Sequence, residues 1–450
     1  MELHEYARLD GVAIAALVRA GEVSAAEVER VALLAVEAAD RRVNGLAGPL
    51  FRVPGDPRGP FFGVPFLVKD VPMAAGIPFG VGSRAVPPFV VAEHDTEVMA
   101  RFRWAGLLTL GRTTMPELGL SFATEPRRHG PARNPYDPAR GAGGSSGGAA
   151  ALVAAGAVPI AHANDGAGSI RVPASCCGLV GLKPSAGRLP GSPHLGEFAL
   201  TRTVRDTVRL FEALYGPAFP TGTDLSAFGR SPDRALRAGI TTVAWSGVPV
   251  HPEVAAATER AGKLLERLGL VVEPAAPRLD WDDVRIAMRG DLAANVAPML
   301  AAPRPPDPAK LEAVTRAVIA GVHTMSALDL LSAAAAAERV ARGVWGFFAE
   351  YDLLLTPTLA QLPAEHGTLD YDDPRHTVDG WLDVMLTYGP FTTVFNLSGQ
   401  PAVSLPLGRS EGGLPIGVQV VAAHGREDHL LALAAMLESD FADLEHRETH

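Results

Sequence analysis

Three serines sit among glycines within Gly141–Pro184, and a rare lysine lies upstream of them. Ser145 and Ser146 fall inside GAGGSSGG, and Ser169 ends DGAGS, 24 positions after Ser145. A serine hydroxyl is a poor nucleophile until a neighbouring base takes its proton. A neutral lysine can be that base, because a buried ammonium sheds its proton where a guanidinium does not. Only four of the 40 basic residues are lysine: Lys69, Lys183, Lys263 and Lys310. Lys69 follows the apolar run FFGVPFLV, where burial is expected, whereas Lys263 belongs to an amphipathic helix. The successive amides of Asp165-Gly-Ala-Gly-Ser169 can face a developing oxyanion, since glycine lets backbone approach a ligand closely. Each feature alone has a blander role, Lys69 in a buried ion pair with Asp70 and the serines as turn residues. Together they point to serine–lysine acyl transfer.

Other chemistries fit less well. GAGGSSGG is not G-x-G-x-x-G, because Ser146 stands where the third glycine belongs, and no phosphate loop with a terminal Gly-Lys-Ser/Thr occurs. The 13 histidines are scattered without a helical zinc-ligand pair, so neither a metal nor another cofactor is expected. Asp370, Asp372, Asp373 and His376 read as a solvated loop. His162 invites a serine–histidine reading, but GAGSI is not the G-x-S-x-G elbow, and the ring is expected to be packed or hydrogen-bonded. A net charge of −10 argues against a nucleic-acid partner. The opening MELHEYARLDG lacks the pattern of a secretory signal, and no apolar run has the length of a membrane span. Cys176 and Cys177 are the only cysteines, and neighbours rarely bridge each other. The expectation is a cytoplasmic enzyme without a membrane partner.

The positioning elements can be read from periodicity and punctuation. Helices are predicted over Gly11–Ala20 and from Ser24, which with Glu27 forms a capping box, to Arg42. Further helices are predicted over Asp95–Ala105, Ala149–Ala155, Thr203–Leu214, Glu253–Leu268 and Asp428–Leu437. Strands are predicted within Phe61–Val71 and at Leu107–Leu110, Val158–Ala163, Ile240–Ala244, Leu270–Glu273, Asp352–Thr356, Ala402–Pro406 and Ile416–Val421. Leu279–Ala349 reads as helix-rich, broken by AAPRPPDP at 301–308, with the alanine run 333–337 helical. Strands alternating with helices predict an α/β fold with a buried central sheet. Without a linker or repeat, one domain spanning 1–450 is expected: N-terminal helices (1–60), a catalytic core (61–210), a variable helix-rich segment on the substrate side (211–349), and a return to the core (350–450).

Segment 143–174, GGSSGGAAALVAAGAVPIAHANDGAGSIRVPA, resembles the signature of the amidase signature family of serine hydrolases in spacing and residue type. Gly63-Val-Pro65 with Lys69-Asp70, Gly76 and Gly82-Ser83 is similar to the family's lysine motif. Asn134–Arg140, Gly178–Pro184, Thr203–Asp206, Phe391 with Phe395–Ala402, and Gly413–Gln419 continue the likeness. It covers 61–210 and 350–437 well, the N-terminal helices loosely and 215–345 poorly. The resemblance implies an α/β/α sandwich around a large mixed central β-sheet, and amide hydrolysis through an acyl-enzyme.

Residue by residue, the resemblance implies Ser169 as nucleophile, Ser145 as a bridging serine after a cis peptide bond, and Lys69 as base. It implies an oxyanion hole from the amides of Gly166, Ala167, Gly168 and Ser169, with Ser146, Asp165 and Arg171 in support. Ala167 stands where many members have glycine, which demands a φ that alanine can adopt. Substrate contacts are expected from Ser121, Phe122, Thr124, Trp381, Tyr388 and Phe391. The expected partner is a small-molecule amide, and a homodimer is allowed. His162–Ser169 resembles members acting on small linear or cyclic amides, 6-aminohexanoate cyclic dimer among them. Two alternatives stay open: the glutaminase subunit of a tRNA-dependent amidotransferase, whose tyrosine-containing segment PSAGRLPGSPHLGE does not resemble, and a non-catalytic binding protein.

Overall fold

The computed structural model describes residues 1–192, 194–216 and 235–448; part of the expected middle segment, 217–234, lies outside the described residues. Among the described residues, ten strands form one sheet: β1 Pro65–Lys69, β2 Leu108–Thr113, β3 Ile160–Asp165, β4 Val180–Lys183, β5 Gly196–Thr201, β6 Arg237–Ile240, β7 Val271–Pro274, β8 Leu353–Pro357, β9 Ala402–Arg409 and β10 Pro415–Ala422. Their order across the sheet is β2-β1-β3-β5-β4-β9-β10-β8-β6-β7. Pairing is parallel at both edges and antiparallel from β3 through β8, which makes the sheet mixed. β1, β2, β4, β8 and β10 are buried along their whole length. A strand covered on both faces reads as a continuous apolar run rather than an alternation, as PFLVK and LLLTP do.

Helices cover both faces. Gly147–Ala154 and Arg171–Cys177 pack on each other, the former against β3 and the latter against β4, β9 and β10. On the opposite side Glu427–Glu448 packs on β9, β10 and helix Val204–Tyr215, which itself lies on β5. Asp206 closes the N-terminal segment onto this layer, its carboxylate accepting the N–H groups of Gly11 (2.7 Å) and Val12 (2.8 Å) at the start of helix Gly11–Ala20. The helix-rich stretch resolves into Trp281–Leu300, Ala313–Thr324 and Ala327–Phe347, with the proline segment between the first two. Among the described residues, no single helix is long and apolar enough to cross a bilayer.

Several predicted boundaries move. The capping box forms by half: Ser24 Oγ accepts the Glu27 N–H at 3.1 Å, but the Glu27 carboxylate turns to the Met1 amine. The strand expected at Leu107–Leu110 runs on to Thr113, and the one expected at Val158–Ala163 is Ile160–Asp165, its start falling just after Pro159, which has no N–H for the ladder. β4, β5 and helix Arg171–Cys177 had no counterpart in the sequence reading. They run four to seven residues, too short for a period to show.

The helix after the serine pair begins at Gly147, two residues before the predicted start. Gly148 explains the close approach: a Cβ there would meet Gly45 O at 2.5 Å and Thr114 N and O at 2.6 and 2.7 Å, all backbone atoms that cannot yield. Gly148→Ala is therefore expected to cost about 1–3 kcal/mol by overpacking, read as a lower urea midpoint at unchanged slope. A midpoint equal to wild type would refute this contact.

Candidate active site

Lys69 ends β1 and carries its side chain into the interior with no exposed surface. Its Nζ lies 2.7 Å from Ser145 Oγ and 2.6 Å from Asn164 Oδ1. Asp70 turns elsewhere: it pairs with Arg112 and accepts the N–H groups of Gly80 and Gly82. Successive residues of a strand face opposite ways, so the Lys69–Asp70 ion pair does not form. Burial lowers the Lys69 ammonium from its ordinary 10.5 to about 7, with Glu197 and Asp165 pulling it partly back.

The Gly144–Ser145 peptide bond is cis. Thr124 secures the turn around it, its hydroxyl donating to Gly143 O (2.9 Å) and accepting the Gly147 N–H (3.1 Å). Ser146 is fully buried, and its hydroxyl reaches Asn164 O at 3.5 Å.

Ser169 follows β3 on the loop 166–170 and keeps 5 % of its surface exposed. Among the described residues its hydroxyl makes no hydrogen bond, and the N–H groups of Ala167, Gly168 and Ser169 donate to no protein group. Two carbonyl clamps aim this loop. Asn396 Nδ2 donates to Asp165 O (2.7 Å), and the hydroxyls of Thr392 and Thr393 donate to Ala167 O (2.6 and 3.1 Å). In a trans peptide the N–H points away from the preceding C=O, so holding these carbonyls turns the Gly166 and Gly168 N–H groups the other way. Gly168 has φ +145°, and a Cβ there would collide with Thr392. Ala167 is not among the residues with positive φ, which is why alanine is accommodated.

Beneath the loop, Arg171 and Asp165 form a buried forked pair, with Nε and Nη2 each 2.8 Å from a carboxylate oxygen. Arg171 also donates to Thr392 O (2.8 Å), Gln419 Oε1 (2.7 Å) and Asn396 Oδ1 (2.6 Å), so the C-terminal strands and 390s loop are tied to the serine loop. Burial pushes the Asp165 carboxyl up, but Arg171, Lys183 and Asn396 together hold it down at about 2.

The structure gives each of the six residues expected at the substrate its protein partners. Trp381 and Phe391 have no exposed surface; the Trp381 indole donates to Leu120 O (2.8 Å), and Phe391 packs on Trp245. Tyr388 is 7 % exposed, and its hydroxyl accepts the Ala364 N–H at 3.2 Å. Phe122 is buried against Gly389, Ser121 Oγ accepts the Ala123 N–H, and Thr124 holds the serine turn. Core packing takes the aromatics and local turns take the hydroxyls. Of the acidic loop, Asp372 pairs with Arg127, Asp373 with Arg375, and His376 bonds the Asp370 carbonyl.

Sequence reasoning missed Asn164, Glu197, Thr392, Thr393, Asn396 and Gln419. Asn396 and Gln419 lie inside motifs already noted, which was a usable signal. Glu197 offered none, since its strand went unrecognised.

Residues 14–431 match the amidase family, and the chain belongs to it. The 6-aminohexanoate-cyclic-dimer hydrolase of Paenarthrobacter ureafaciens is 36 % identical over 95 % of this chain and 94 % of its own length. A solved structure of 6-aminohexanoate cyclic dimer hydrolase complexed with substrate superposes with a TM-score of 0.87 at 33 % identity, covering 96 % of both chains. A bacterial aryl acylamidase of the amidase signature family gives a TM-score of 0.83 at 27 % identity, over 97 % of this chain and 98 % of that one. The protein is an amide-hydrolysing enzyme with the amidase signature fold.

Removing the Arg171 charge strands a buried carboxylate, a loss of about 3–5 kcal/mol. Arg171→Met should therefore unfold at markedly lower urea, with Arg171→Lys, which keeps the charge but not the fork, in between. Coincident unfolding curves for Arg171→Met and wild type would show that the pair does not brace the loop.

Proposed function

We propose that the enzyme hydrolyses small linear or cyclic amides through an acyl-enzyme on Ser169, with Ser145 relaying the proton to Lys69. The observation that carries this is the 2.7 Å contact between Ser145 Oγ and an amine with no exposed surface. A lysine so desolvated is available unprotonated near neutrality. As Ser169 Oγ attacks the amide carbon, its proton passes to Ser145 while Lys69 takes the Ser145 proton. The oxygen of the tetrahedral adduct becomes negative and accepts from the amides of the 166–169 loop, each such donor being worth about 10²–10³ in rate. Collapse breaks the C–N bond and the departing nitrogen takes back the proton; water then attacks the ester, its proton passing to Ser145 as Lys69 takes the Ser145 proton, and when the ester C–O bond breaks the Ser169 oxygen recovers that proton and the carboxylic acid leaves. The choice of small amides is supported by relatives named for 6-aminohexanoate cyclic dimer and by the aryl acylamidase likeness.

Hydrolysis of 6-aminohexanoate cyclic dimer and of 4-nitroacetanilide tests the proposal, with Ser169→Ala as the blank. Ser169→Ala should lose all turnover while keeping the wild-type circular dichroism spectrum; turnover by that variant would defeat the mechanism.

Only unprotonated Lys69 is a base, and burial lowers its pKa to about 7. Activity should therefore rise from acid to alkaline with its midpoint near that value. Lys69→Arg, permanently charged, should lose about 10²–10⁴ in kcat. A flat pH profile from 5 to 9, or an active Lys69→Arg variant, would exclude Lys69 as the base.

A further inference from the structure

Lys69 is held at both ends by one closed chain of hydrogen bonds. Its backbone N–H donates to His162 Nδ1 at 3.3 Å, and His162 Nε2 lies 2.7 Å from Glu197 Oε2. The other oxygen of that carboxylate accepts from Asn164 Nδ2 at 3.4 Å, and Asn164 Oδ1 faces Lys69 Nζ at 2.6 Å. The sheet makes this circuit possible. His162 and Asn164 are two apart on β3 and share a face, Asn164 pairs directly with Glu197 on β5, and β1 runs along the other edge of β3.

The polarity of the circuit has one solution. A backbone N–H can only donate, so His162 Nδ1 must be the acceptor and Nε2 must carry the proton. That proton needs an acceptor, and a carboxylate offers acceptors only. Glu197 therefore meets an N–H on each oxygen, which fixes the Asn164 amide with Nδ2 toward Glu197 and Oδ1 toward Lys69. A neutral lysine has two N–H bonds and one lone pair. With an N–H committed to Asn164 Oδ1, the lone pair is left for Ser145. Were the amide reversed, its NH₂ would occupy that lone pair.

The geometry points to Asn164 and Glu197 as positioning residues that aim the Lys69 lone pair at Ser145, with His162 transmitting the polarity from the backbone of Lys69. This inference rests on Lys69 being the base. A carboxylate at position 197 forbids the reversed amide, because two acceptors would then face each other. A glutamine there permits it.

The other charged groups around Lys69 are accounted for. Asp165 from β3 is matched by Arg171, and Asp70 is matched by Arg112 from β2. Among the described residues, Glu197 is thus the carboxylate near the amine that is paired with no guanidinium.

The rate at which a fluorophosphonate labels Ser169 tests this without knowledge of the natural substrate. In that reaction the Ser169 oxygen bonds to phosphorus, fluoride leaves, and the serine proton enters the same relay. Labelling of the purified full-length chain is followed from pH 5 to 10, normalised to the fraction of protein that labels at completion. Glu197→Gln, nearly isosteric, should label at least about tenfold more slowly on the alkaline plateau. Asn164→Asp sets a charge against the amine, so its inflection should move up by about 1–3 pH units, with the rate recovering at high pH. Asn164 is only half-buried, so this variant serves if Glu197→Gln does not fold. A purely structural role would lower the labelled fraction and leave both normalised profiles unmoved, and that result overturns the inference. Lys69→Ala, run in parallel, separates the two questions: if it labels like wild type, the base itself is misassigned, whatever the other variants do.

Discussion

Desolvation of one amine is the constraint on which the rest of this structure depends. A lysine in water is an ammonium at neutral pH and accepts nothing. The proposed role of Lys69 as a base depends on β1 being buried along its whole length and on a side chain with no exposed surface. The opposing pull of Glu197 and Asp165 keeps the amine from losing its basicity altogether. A base useful near neutrality lies between those two limits.

The second requirement is a loop whose amides are left unbonded and yet held still. Glycine supplies the conformations at an entropic cost, and rigidity has to come from outside the loop. Here it comes from the chain more than 200 residues later. Thr392, Thr393 and Asn396 grip the carbonyls, and Arg171 gathers Asp165, Asn396 and Gln419 into one buried network. Such a network is favourable because every member is satisfied. The loop and the C-terminal strands are therefore a single mechanical unit, despite their distance in sequence.

Much of this was legible beforehand, and unevenly so. The serine turns, Lys69, Asp165 and Arg171 stood out through residue type, glycine context and the family resemblance, and the structure gathers them into one region. The long helices were legible because capping residues and a 3.6-residue period extend over many turns. β4, β5 and the helix after Ser169 were not, since a handful of buried residues shows no period. Thr124 was among the expected substrate contacts, and its hydroxyl bonds the backbone of the serine turn. Trp381 and Phe391 were expected at the substrate, but large rings are as useful in a core, and both have no exposed surface.

By itself, the sequence determined which functional groups exist and in what local setting: a nucleophile class, a rare lysine behind an apolar run, and glycines that free backbone amides. Those are properties of residue type and near neighbours. The tertiary structure alone decided how far Lys69 is buried, which side chains surround its amine, and which side chains hold the carbonyls of the serine loop. Each of these depends on solvent exclusion and on the direction of hydrogen bonds between strands and loops far apart in the chain. Distances of a few ångströms set both, and no local pattern of residues encodes them.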